Sequence, residues 1–373
     1  QFPGVGCPAN LTPVFAQAYA QGARIHSNSW GDRQGKLTAP PTANYPQSAY
    51  DVDAFVFSHP DMLIVFNTGN LGAKIETPKS SLSAPGSAKN TLQIGGTRIG
   101  NRDDDTLATF TLFGPTRDGR IKPDLVAPAR VISGSRDLDD DPNTCDDSRQ
   151  SGTSFAAPTV ASAAALVRQY YTDGFYPSGV ATAADAFTPS AALLKATLIA
   201  SARAVPWRGD IMTGGRVAAL PVPSHEQGWG FPVLDDALYF PGDASRMRIV
   251  DVPLSAGLRG GASSTVRLKV NAGTPLKAVL VWTDPPGHVA GVTDTSPQLV
   301  NDLDLQITTS AQTYATNDHL NNVEVLSIAE PASGIYNIIV TANALGFGER
   351  QGYALVILGD VSAVSAKTRS VRR

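Results

Sequence analysis

The chain has 373 residues, and its 30 lysines and arginines nearly balance 33 aspartates and glutamates, for a formal net charge of −3. That length can bury at least two hydrophobic cores, and a balance this even, with no basic stripe, excludes nucleic acid as the expected partner. No apolar run approaches a membrane span, and the lysine-poor, Gly-, Pro-, Ser- and Asp-rich composition suits a loop-rich secreted or extracellular protein.

Leu11, Val14, Phe15, Ala18 and Tyr19 recur at helical spacing, and Gly22 ends the predicted helix. Ile25 to Ser29 then reads as a strand, followed by a Pro/Gly-rich loop and a short helix near Ala49–Ser58. Met62 to Phe66 is a continuous apolar run between polar turns, the pattern of a central parallel strand covered on both faces. Thr91–Thr97 is a further short strand. Alternating helix and strand predict a doubly wound α/β sheet. The stretch from Asp137 to Asp147 carries six aspartates and reads as a solvated loop. Helices are expected from Ser154 to about Tyr170 and over Ser190–Ala202.

Pro241-Gly242-Asp243 marks a boundary between an α/β part, 1–243, and a second domain, 247–361. Beyond it, Thr265–Val270, Leu276–Trp282, Leu303–Thr308, Gly334–Val340 and Tyr353–Leu358 are short β-rich runs separated by turn residues. They predict an antiparallel β-sandwich or jelly roll. Residues 362–373 are expected to form a disordered basic tail. Cys7 and Cys145 are a pair that either bridges or stands as two separate thiols. Two cysteines cannot by themselves build a four-ligand zinc site.

The most informative stretch is Ser151-Gly152-Thr153-Ser154-Phe155-Ala156-Ala157-Pro158. A glycine-bearing turn delivers Ser154 to the start of an alanine-rich helix. Free amide N–H groups and the helix dipole favour negative charge there, which suits a nucleophile; the same residue could equally be a plain helix cap. The whole string resembles the G-T-S-x-A-x-P serine box of subtilisin-like peptidases. Further segments are similar to that family: Asn28-Ser29-Trp30-Gly31, Asn67-Thr68-Gly69-Asn70, Ala84-Pro85-Gly86 and Lys122-Pro123-Asp124. Leu280–Pro286 and Leu299–Leu305 are similar to the C-terminal β-domain of one branch.

The resemblance implies a serine endopeptidase acting on protein or peptide substrates without an organic cofactor. Ser154 would be the nucleophile, and Asn70, at the carboxyl end of a buried strand, the oxyanion asparagine. Asn67, Thr68 and Gly69 would form one wall of the substrate pocket, with Gly4, Val5 and Gly6 as the facing wall. The family's Asp and His motifs are not found in the sequence, so both are expected upstream, and the chain alone is expected to be inactive. None of His26, His59, His225, His288 and His319 has the family's context, and Lys195 is not aimed at Ser154. The alternative is a subtilase-derived protein that binds without cutting. A lipase-like reading is disfavoured because the G-x-S-x-G elbow is missing.

Asp302 and Asp304 alternate along a strand and so share a face. With Asn301 and Asp284 they offer oxygen ligands of the kind calcium takes, and the resembling branch is calcium-stabilised. A solvated strand end is the competing reading.

Overall fold

The computed structural model describes residues 10–31, 43–70, 80–98, 106–133, 148–210 and 213–364. Gly4 to Gly6, both cysteines, the aspartate-rich run and residues 365–373 of the expected tail lie outside the described residues; that tail was expected to start at 362, but Ser362 and Ala363 pair with Lys269 and Leu268 in a sheet.

The first part runs α1 (Thr12–Ala20), β1 (Ile25–Asn28), α2 (Gln47–Ser58), β2 (Leu63–Asn67), β3 (Leu92–Thr97), β4 (Thr106–Leu107), β5 (Leu125–Pro128), β6 (Arg130–Ser133), β7 (Ser148–Ser151), α3 (Thr153–Thr172) and α4 (Ala191–Ala200). Four short strands follow, β8 (Ala202–Arg203), β9 (Trp207–Gly209), β10 (Arg216–Ala218) and β11 (Phe231–Pro232). β1, β2, β3 and β5 pair in parallel. All five residues of β2 are buried, because helices cover both faces of the sheet. Leu63 and Val65 pack towards α3 and α4 with Leu92, Ile94, Val160 and Leu198. Ile64 and Phe66 pack the other way, against Phe15, Val52 and Phe55 of α1 and α2. The period-2 geometry of a strand thus explains why this run is apolar throughout.

The second part comprises β12 (Arg246–Val252), β13 (Ser263–Val270), β14 (Leu276–Val281), β15 (Asn301–Thr308), β16 (Thr313–Ala315), β17 (Val323–Ile328), β18 (Gly334–Leu345), β19 (Tyr353–Gly359) and β20 (Val361–Ala363). It forms two antiparallel sheets, ordered β12-β19-β14-β17 and β16-β15-β18-β13-β20. Leu280, Leu355 and Ile357 of one sheet meet Leu303, Leu305, Ile338 and Val340 of the other in a shared core. β15 alternates strictly, with Leu303, Leu305 and Ile307 inward and Asp302 and Asp304 on the outer face.

The two parts share apolar packing. Val279, Val281, Ala354, Val356 and Leu358 lie in the same cluster as Leu194, Leu198 and Ile199 of α4. Lys277 Nζ reaches across to donate to the carbonyls of Ile199 (3.0 Å) and Ala200 (2.9 Å) at the end of that helix.

Charged residues are buried beside this joint. Asp124 accepts from Lys122 Nζ at 2.6 Å and Lys195 Nζ at 2.7 Å. Burial alone would raise its pKa, but the two ammonium groups outweigh burial and hold it below the usual carboxylate range. The helical lysine in the α/β part is therefore a partner of the Lys-Pro-Asp loop.

Candidate active site

Ser154 sits in the first turn of α3, at the carboxyl ends of the parallel strands, where active sites of open α/β sheets gather. The cap before it is Gly152, with φ 156° and ψ 150°, a conformation essentially reserved for glycine. A Cβ there would stand 3.6 Å from the Asn70 side-chain nitrogen.

Pro158 lies inside α3 and has no N–H to donate. The carbonyl it would have served, four residues back, belongs to Ser154. Ser29 fills the gap: its Oγ donates to the Ser154 carbonyl at 2.7 Å. Ser154 Oγ in turn makes a long bond to the Ser29 carbonyl, 3.4 Å. The proline of the serine box thus frees an acceptor that ties the serine turn to the residue following β1.

Asn70 is fixed from the other side. Its Oδ1 accepts from the Thr153 N–H at 2.8 Å and lies 3.1 Å from Thr153 Oγ1. A backbone N–H can only donate, so the amide oxygen must face Thr153 and Nδ2 must face away. No acceptor for Nδ2 is present among the described residues, and Asn70 is exposed. The arrangement leaves one oriented side-chain donor beside Ser154.

The remaining sequence-derived wall residues separate. Asn67 Nδ2 reaches Ser154 Oγ (3.4 Å) and Thr153 Oγ1 (3.3 Å). The Gly69 carbonyl accepts from Thr153 Oγ1 at 3.1 Å. Thr68 is fully buried, with its hydroxyl 3.2 Å from Thr111 Oγ1 and its N–H bonded to the Ile94 carbonyl. Just beyond the end of β2, its hydroxyl is thus engaged inside the fold, against Thr111. Ser29 was missed as a site residue; the signal available was its place directly after the first strand, whose carboxyl end had to lie beside that of β2.

No imidazole or carboxylate bonds Ser154 Oγ among the described residues. His26 lies in β1 with its ring edge-on to Phe15, and burial lowers its pKa. His59 stacks on Phe55. His288 and His319 face Asp294 and Asp302.

The acidic residues of the second part do not form one group. Asp284 is fully buried, pairs with Lys89 Nζ, and accepts from the N–H groups of Val300 (3.0 Å) and Asn301 (2.8 Å). A lysine therefore stands where a cation was expected, which removes Asp284 from the ligand set. Asp302 and Asp304 do converge, joined by His319, with one ligand atom from each lying within 4.8 Å of the others. Asp302 Oδ1 and Asp304 Oδ1 are both buried without a partner. Burial, and then the neighbouring Asp302, raises the pKa of Asp304.

Glu324 of β17 is nearby and 2 % exposed. Burial pushes its pKa up to about 8, despite bonds from Thr316 and the Leu305 N–H, with Asp304 adding to the rise. The folded protein then holds a proton between about pH 4.5 and 8 that the unfolded chain has lost. Stability from this group is full below that window and is lost as pH rises through it. We expect the melting temperature to fall from pH 5 to pH 8, and Glu324→Gln to flatten that fall. An unchanged slope in the variant would assign the dependence to other groups.

Comparison with known proteins supplies the family. Residues 10–230, more than half of the chain, match the sequence profile of the Subtilase family, Peptidase_S8. The chain is 25% identical over 472 residues to the serine protease/ABC transporter B family protein tagD of Dictyostelium discoideum, covering 91% of this chain and 25% of that protein. It is 32% identical over 127 residues to the serine protease AprX of Bacillus subtilis, covering 30% of this chain and 27% of that one. The chain thus spans about a quarter of the length of these relatives. Among solved structures, tripeptidyl peptidase 2 aligns over 93% of this chain and 36% of its own, at 11% identity and a TM-score of 0.34. No helix among the described residues is long and apolar enough to cross a membrane. With the serine turn, its proline and the capping asparagine assembled around strands of the expected sheet, the match over residues 10–230 makes this chain a member of the subtilase family.

Proposed function

We propose that the chain carries the nucleophile and oxyanion half of a serine endopeptidase. The observation that supports this most directly is the fixed amide of Asn70. Its oxygen is held by the Thr153 N–H, which leaves Nδ2 as a pre-aimed donor beside Ser154. In this reading Ser154 Oγ attacks the scissile carbonyl, and Asn70 Nδ2 with the Ser154 N–H holds the developing oxyanion. The substrate main chain runs along the Asn67–Gly69 segment, with Gly4 to Gly6 as the facing wall. A histidine and an aspartate from outside the described residues take the serine proton and orient that histidine. The substrates are proteins or peptides, and the setting is extracellular.

The test is Asn70→Ala in the enzyme assembled with its general base. We expect kcat to fall by about 10²–10³, the loss found on removing the equivalent donor of subtilisin, with KM little changed. A loss confined to KM would make Asn70 a substrate-binding residue only. The 373-residue chain by itself should hydrolyse peptides no better than about 10³–10⁴ over water. Ordinary activity from it, abolished by Ser154→Ala, would reveal a base within the chain.

We propose also that Asp302 and Asp304, without Asp284, hold a calcium ion. The fit rests on the two buried carboxylate oxygens that lack partners, since like charges in that position are costly without a cation. An ion bound only by the folded state raises stability by mass action, about 2.7 kcal/mol at a hundred times Kd. Melting should therefore occur at a lower temperature in chelator than in millimolar calcium, and Asp302→Asn with Asp304→Asn should abolish most of the difference. A melting temperature indifferent to calcium would leave both residues as ordinary strand carboxylates.

A further inference from the structure

A cleft of about 730 Å3 opens between the end of α2, the start of α4 and β12. Pro60 and Asp61, which line it, precede β2, whereas Asn67 at the other end of that strand reaches Ser154. The cleft therefore lies at the amino ends of the parallel strands, at the opposite end of the sheet from the serine. Its walls are mainly apolar, with Phe57, Phe187, Ile249, Leu254 and Tyr353 prominent. A second hollow of about 220 Å3 shares Phe57 and Leu254 with the first and adds Phe347. At that rim Leu254 is 45% and Phe347 57% exposed. The two hollows adjoin one another across Phe57 and Leu254.

Two carboxylates border the larger hollow. Asp61 is paired with Arg24 Nε at 2.7 Å and accepts from the Tyr19 hydroxyl. Asp251 has no cation among the described residues. It meets only neutral donors, the Ser190 N–H at 2.9 Å and the Ser190 hydroxyl at 2.7 Å. Burial outweighs both bonds and raises its pKa, so the site favours an incoming positive charge. Two bonds also leave carboxylate lone pairs unused. β12 is an edge strand of its sheet, and edge strands present main-chain groups that no neighbouring strand has taken, although the Ile249 N–H is met by the Tyr176 hydroxyl at 3.3 Å.

We propose that this cleft is a second binding site, which receives a peptide segment carrying apolar residues on either side of a lysine or arginine. The apolar residues enter the two hollows, and the cation meets Asp251. Apolar volume alone would suit many ligands; the carboxylate without a cation sets the charge, and two adjoining hollows beside an edge strand favour a chain with more than one apolar side chain.

The probe is a fluorescein-labelled peptide, Ala-Phe-Lys-Leu-Ala, with a twin carrying norleucine in place of lysine. Binding is read by anisotropy to the full chain bearing Ser154→Ala. That background performs no chemistry, so failure here leaves the peptidase reading intact, and failure of that reading leaves this one intact. We expect saturable binding of the lysine peptide, weakened about tenfold by Asp251→Asn, with the norleucine twin unaffected by that substitution. Ala192→Phe, which fills the larger hollow, should abolish binding of both. Leu254→Ala at the exposed rim serves the same purpose should the bulkier side chain prevent folding. Equal affinity for the two peptides, binding unmoved by these variants, or no saturable binding would overturn the proposal. Capture of octylammonium without capture of the peptide would overturn its assignment to a polypeptide.

Discussion

Replacing Ser154 by alanine is expected to lower kcat by about 10⁶ in the enzyme assembled with its general base. The magnitude is that of removing the nucleophile of subtilisin, a member of the same family. The physical basis is that, in the proposed mechanism, Ser154 Oγ forms the acyl bond. It stands in the first turn of α3, within reach of Asn67 Nδ2 and close to Asn70. Folding should be preserved, because the bonds that hold this turn run to the Ser154 carbonyl from Ser29 and to Asn70 from Thr153, not to the hydroxyl. The check is steady-state kinetics beside a melting curve. Substantial residual activity in a folded variant would place the nucleophile elsewhere.

Asp124→Asn is expected to cost about 3–5 kcal/mol of stability, the usual result of removing one partner from a buried ion pair. Here two ammonium groups, Lys122 and Lys195, lose the same carboxylate, and both lysines are nearly inaccessible to water. The Gln93 N–H also donates to Asp124 Oδ2, at 2.7 Å, so the carboxylate braces the start of β3 as well. Denaturant unfolding measures the cost, and Lys195→Met in the Asp124→Asn background should recover part of it. A cost below about 1 kcal/mol would mean that these lysines shed their charge or find water when the aspartate is neutralised.

The regular elements were legible because their signals are local. The apolar run at Met62–Phe66 became β2 (Leu63–Asn67), and the alanine-rich stretch after Gly152 became α3. Ser190 was readable as the start of a helix and does cap α4, accepting from the Leu193 N–H. β12 was not foreseen: Arg246–Val252 interleaves two arginines and an aspartate with its apolar residues, the composition of an edge strand with one face half open. The placement of Ser154 at the start of a helix and of Asn70 just beyond a buried strand was readable from motif and from strand-end logic. The inward turn of Thr68 was not, because a short motif does not say which residue of a strand end faces the core. Asp284 was misread for the same kind of reason: its partner Lys89 is distant in sequence, and nothing near either residue announces the other. Asp302 and Asp304 share a face as strand periodicity required, but His319 joins them only through the tertiary fold.

The ammonium of Lys277 has a consequence for cooperativity. It closes the last carbonyls of α4 from a strand of the neighbouring sandwich, a service that a helix ordinarily obtains from its own flanking residues. Neither architecture therefore has a complete set of partners without the other. Local opening of the helix end must break contacts to β14, and fraying of β14 must leave helix carbonyls unmet in an apolar setting. The helix that backs the parallel sheet and the sheet that backs the helix are thus coupled parts of one folding unit. Damage to the sandwich should travel to the serine side as lost protection from exchange, well before either part has unfolded.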